Sequence, residues 1–100
     1  MTGRQVPADE ALALGLVNKV APPDEVLEVA LEWAAALARG PLVAHGLAKG
    51  VIDRGLDGPL ADGLTAEQEA FSAVGRTEDA GRGIASFAEH GPGQATFVGR

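Results

Sequence analysis

The chain has no cysteine, so neither a disulfide nor a thiolate zinc site is available to it, and a reducing interior suits it. Aromatic residues are scarce: Trp33, Phe71, Phe87 and Phe97 are the whole set. Positive charge is short as well, with 8 basic against 14 acidic residues, a net charge of -6 and an isoelectric point near 4.7. The basic residues are scattered from Arg4 to Arg100, whereas phosphate binding needs them clustered, which excludes a nucleic-acid partner. No apolar run approaches the ~20 residues that cross a bilayer, and the N-terminus lacks the cationic-then-apolar pattern of a secretory signal. The expectation is a cytoplasmic protein with no membrane partner.

What the chain does have is alanine and glycine. Hydrophobic residues make up 46 % of it, yet alanine is the commonest of them and buries little area at roughly 25 cal/mol per Å². One hundred residues suffice for one domain with a thin core, which needs a larger body or a second copy to hold it.

The clearest pattern runs from Pro23 to Arg39 within a 22–40 segment. Val26, Val29, Ala30, Trp33 and Leu37 form one helical face, and Leu27, Leu31, Ala34 and Ala38 widen it into an arc that asks for cover from two directions. Pro23 suits a first turn, Asp24 and Glu25 suit the positive helix end, and Gly40-Pro41 stops the run. Before it, residues 1–21 read as a Thr2-Gly3 turn, a helix over Pro7–Leu14 halted by Gly15, and a short strand over Leu16–Ala21.

After it, helices are predicted over 41–54, 59–75 and 77–90, with a GLDG loop at 55–58 and an irregular tail over 91–100. Gly46 and Gly50 lie on one face of the 41–54 helix; they are either tolerated there or serve close approach of another helix. Leu60, Leu64, Phe71 and Val74 fall on one side of the next helix, and Ala80, Ile84, Phe87 and Ala88 continue an apolar face on the last. Thr77 is its N-cap, with Glu78 and Asp79 in the first turn. The fold class is mainly α: about five short-to-medium helices with one short strand region.

Chemistry is harder to find. His45 and His90 have no acid or second histidine at metal-ligand helical spacing, so no metal site is assigned. Glu67 and Glu69 point to different sides of a helix, and Ser72 and Ser86 stand outside any nucleophile-elbow motif. A small hydrolase built on His45 or His90 needs a partner brought in by tertiary contact. No catalytic residue and no cofactor is assigned.

Specific residues then say more than periodicity. Thr2-Gly3-Arg4, Ala8 to Ala11 and Gly15-Leu16-Val17-Asn18-Lys19-Val20 resemble the opening of the C-terminal portion of the crotonase superfamily, the enoyl-CoA hydratase/isomerase proteins. The ordered series continues through Leu47-Ala48-Lys49, Leu64, Glu67, Phe71, Thr77, Asp79, Gly83-Ile84, Phe87, Glu89, Phe97 and Gly99-Arg100.

That resemblance implies an upstream half that supplies the oxyanion hole and the catalytic glutamates, and a helical oligomerisation portion that packs into trimers, often paired into hexamers. It also implies acyl-CoA as substrate. Phe71 matches an aromatic near the coenzyme A nucleotide of an adjacent site and Phe87 a position near the acyl pocket, with core packing the competing role for both. Arg82-Gly83 replaces a usual acid-glycine pair, and His90 stands where relatives carry lysine, a firmer phosphate ligand. The expected function is the C-terminal portion of an acyl-CoA hydratase or isomerase, inactive alone; the rival is a stand-alone acidic helical interaction module.

Overall fold

Pro7, extended at φ -61° and ψ 157°, precedes α1 (Ala8–Ala13), and its carbonyl accepts the Ala11 amide at 2.9 Å. Gly15 ends the helix at φ +73°. The Leu16 amide reaches back to the Ala11 carbonyl at 2.9 Å and the Gly15 amide to Leu12 at 3.0 Å, the paired bonds of a Schellman stop that needs a left-handed residue. In this computed structural model, which describes residues 3–100, α1 is followed by α2 (Val26–Ala38), α3 (Leu42–Asp57), α4 (Leu60–Val74) and α5 (Glu78–His90). The chain divides into two compact units, Met1–Ala34 and Ala35–Arg100, with the boundary inside α2.

Five helices match the mainly-α expectation, while the short strand does not form. Residues 16–21 run without regular structure, and no strand occurs among the described residues. A lone extended segment has no ladder to pair with, so its valines pack as side chains only. Thr2 of the expected Thr2-Gly3 turn lies outside the described residues; Gly3 has φ +64°.

Two boundaries also move. Pro23 to Glu25 form a turn closed by the Glu25 amide on the Pro22 carbonyl at 3.0 Å, so α2 begins at Val26. The α3 helix runs on through Gly55 to Asp57, where a loop is expected from the sequence, and Gly58 ends it in extended conformation.

The reason lies in the second unit, where α3 packs against α4. A Cβ placed on Gly63 of α4 would stand 3.3 Å from the Gly55 Cα, so the two helix backbones pass at a glycine crossing. Gly46 and Gly50 have nothing within 4 Å and make no close approach inside the chain. Ala66 of α4, 3 % exposed, is the buried hydrophobic residue at this packing, while Leu60 and Leu64 stay exposed.

The α5 helix is capped as its sequence predicts. Thr77 Oγ1 accepts the Ala80 amide at 3.1 Å and donates to the Val74 carbonyl at 2.7 Å. Its apolar face is not its most buried side. Asp79, Gly83 and Ser86, at helical spacing, are buried or half-buried, whereas on the apolar face Ala80 is half-buried and Ile84 and Phe87 are exposed.

Candidate functional site

The first unit carries an apolar groove of about 340 Å³ between α1, the 17–21 segment and the start of α2. Val26, Val29, Ala30 and Trp33, the predicted face of α2, line it together with Ala11 and Val20. Trp33 remains 42 % exposed, and Leu27 and Leu31 on the flank of the arc are more exposed still. In the same unit Arg4 grips Glu10 in a bidentate pair, with contacts of 2.8 and 2.6 Å. The pair holds the Glu10 carboxyl below and the Arg4 guanidinium above its ordinary range.

In the second unit Phe71 sits on the rim of a groove of about 310 Å³ between α3 and α4, over Leu47, Val51, Ile52 and Val74. The ring is 79 % exposed, which removes core packing within this chain as its role. Glu67 brings a carboxylate to the same groove, while Glu69 faces a polar hollow with Thr65, Ser72 and Arg76. The two glutamates diverge as their spacing requires.

Phe87, 64 % exposed, borders a different hollow of about 320 Å³ shared with Gly83, Ser86 and Phe97. Its far wall is the 91–97 segment, which returns along α5. Asp79 fastens that return: its Oδ1 and Oδ2 accept the Val98 and Gly99 amides at 2.7 and 2.9 Å, and its own amide donates to the Arg100 carbonyl at 3.0 Å. The residue is only 2 % exposed. Next to it Glu78 binds the Arg100 guanidinium at 2.9 Å and that of Arg82 at 2.8 Å, and these pairs, Arg100 first, hold its carboxyl below the usual range.

The sequence explains Asp79 as a first-turn acid and gives no sign of this clamp, because its partners lie 19 and 20 residues away. Phe71 and Phe87 are not brought together; they border separate hollows. The His45 ring lies over Gly40, where an added Cβ would stand 2.5 Å from its Cε1. His90 shares a polar surface hollow with Ser86, and its Nδ1 is 3.9 Å from Glu89, beyond hydrogen-bond reach. These surfaces can hold apolar groups and order a backbone segment.

The described residues thus form helices with an oily groove in each unit and with Ile84 and Phe87 of the last helix exposed. The chain belongs to the enoyl-CoA hydratase/isomerase family, whose sequence model matches residues 1–97. It is 41 % identical to a probable enoyl-CoA hydratase of Rhizobium meliloti, over 87 % of this chain and 34 % of that protein. It is 39 % identical to the short-chain-enoyl-CoA hydratase of Clostridium acetobutylicum, over 88 % of this chain and 34 % of that one. A crystal structure of an enoyl-CoA hydratase subunit from Geobacillus kaustophilus superposes with a TM-score of 0.89 at 33 % identity, covering 99 % of this chain and 38 % of that chain. The chain thus spans about a third of the length of the relatives it matches, as a C-terminal portion of such a protein does. No helix among the described residues is long and apolar enough to cross a membrane.

Proposed function

We propose that this chain is the C-terminal portion of an enzyme that hydrates or isomerises the enoyl group of acyl-CoA thioesters in the cytoplasm. The catalytic groups come from a preceding half; the chain contributes self-association, as a trimer or hexamer, and walls of the acyl-CoA site at Phe71 and Phe87. The observation that carries this reading is the inverted burial of α5: Asp79 is buried while Ile84 and Phe87 are exposed. An apolar helix face left exposed in this way supports a covering surface outside the chain. The rival, a stand-alone interaction module, requires a covered Trp33 face, and Trp33 stands 42 % exposed.

The test replaces the matching third of the Clostridium acetobutylicum short-chain-enoyl-CoA hydratase with this chain. The chimera is expected to hydrate crotonyl-CoA and to assemble, and the purified chain alone is expected to do neither chemistry nor remain monomeric by light scattering. Crotonyl-CoA hydration by the chain alone would overturn the reading. So would a closed monomer at working concentrations.

A further inference from the structure

The Asp79 clamp does work that helix capping does not require. Thr77 already satisfies the Ala80 amide at the start of α5, so both Asp79 oxygens are free to face another segment, and both accept backbone amides of that segment. Asp79 is the buried charged residue of the described chain, and a carboxylate stays buried only when it is hydrogen-bonded in this way.

What it holds is the far end of a segment that leaves α5 through a glycine turn. Gly91 and Gly93 have φ of +80° and +79°, and a Cβ on either would meet nothing within 4 Å, so the turn that starts the return is unobstructed. Between that turn and the clamp, Phe97 packs its Cε1 3.7 Å from the Cβ position of Gly83, on the floor of the Phe87 hollow. Gly99, at φ +80°, lies against Leu42 of α3, with Cδ1 3.3 Å from its Cβ position.

We propose that residues 94–99 are a latched strap over the Phe87 hollow, with the Asp79 carboxylate as its catch and the Gly91–Gly93 turn as its hinge. Asp79 is therefore a positioning residue: it sets where Phe97 stands and so how wide the hollow is. On the reading of Phe87 given above, the occupant is the apolar acyl portion of a thioester, and the strap adjusts the hollow to its bulk.

The experiment needs no acyl-CoA, so its failure leaves the enzymatic reading standing, and failure of that reading leaves the strap standing. The full chain is labelled with 4-fluorophenylalanine, which reports on Phe71, Phe87 and Phe97, assigned by single Phe→Leu variants. Asp79→Ala is expected to accelerate exchange of the Val98 and Gly99 amides at least about tenfold, and Asp79→Asn, which keeps one acceptor oxygen, mainly one of them. The fluorine signals of Phe97 and Phe87 shift while that of Phe71 stays. Gly99→Ala, which strains a left-handed position against Leu42, is expected to move the same two signals with Asp79 intact. Unchanged exchange at Val98 and Gly99 in Asp79→Ala overturns the proposal. Acceleration shared equally by α3 and α4, or a Phe87 signal that moves in neither variant, does the same.

Discussion

Substituting alanine for glycine at three helical positions separates backbone propensity from helix packing. Gly46 and Gly50 of α3 face open space, with nothing within 4 Å of an added Cβ. Alanine there gains the intrinsic helix preference, about 0.5–1 kcal/mol at each site, with no opposing contact. For a chain of this size that raises the melting temperature by about 4–8 °C per kcal/mol. At Gly63 the same preference is opposed by a 3.3 Å approach to the Gly55 Cα, which is backbone and cannot rotate away. The α3 and α4 helices must then part by a few tenths of an ångström, loosening the packing around Ala66. Gly63→Ala is therefore expected to melt below Gly46→Ala and Gly50→Ala by a margin of about 1 kcal/mol or more. Far-UV circular dichroism melts of the three variants give the comparison directly. If Gly63→Ala gains as much as Gly46→Ala, the glycine crossing does not constrain the helix pair, and the explanation for the extension of α3 to Asp57 fails with it. Assembly adds a second reading of the same variants. Weakened association in Gly46→Ala or Gly50→Ala, despite greater stability, would assign those glycines to a face between copies.

Thr77→Ala removes the cap of α5 and is expected to cost about 1 kcal/mol in urea unfolding, with Thr77→Ser restoring most of it. Glu78 has a folded-state pKa below its ordinary value, so its contribution is present above the usual carboxylate range, near 4.3, and is lost as pH falls through the lower folded value. Acid unfolding of Glu78→Gln is expected to lack that component, and a loss of stability on raising the pH instead would contradict the assigned sign. The Arg4–Glu10 pair follows the same sign, and both weaken at high salt because they are exposed. Phe71→Ala is expected to change the stability of the chain by less than about 0.5 kcal/mol, since the ring is exposed, while raising KM for crotonyl-CoA in the chimera. A large loss of stability would return Phe71 to a packing role. Leu27→Glu, on the outer flank of α2, is expected to weaken concentration-dependent association in light scattering without lowering helix content.

Local signals in this sequence are read correctly where one residue decides the outcome. Gly15 stops α1 because only a left-handed residue allows the Leu16 and Gly15 amides to reach back, and Thr77 starts α5 because its hydroxyl meets the Ala80 amide. Signals that depend on a partner are not. The valines over 16–21 suggest a strand, but strand identity lies in a ladder, and none forms among the described residues. Pro23 is compatible with a first turn, yet the Glu25-to-Pro22 bond closes a separate turn before α2 begins. Gly55 looks like a loop residue until Gly63 shows that a smooth helix surface is what the crossing uses. The Asp79 clamp is the extreme case, since its local role at a helix start is a sufficient explanation until the strap returns to it.

The same reasoning says what the α5 pattern means. Periodicity identifies which side of a helix is oily, and the inference from oily to inward holds only when the covering surface is part of the same chain. On α5 the two come apart: the strap covers the Asp79–Gly83–Ser86 side, and its hydrogen bonds to Asp79 are made to backbone, so they depend on little of the strap's own sequence. Ile84 is thereby left facing out, while Phe87, though exposed, borders the hollow that the strap walls. The exposure of Ile84 therefore follows from which side of α5 the strap occupies.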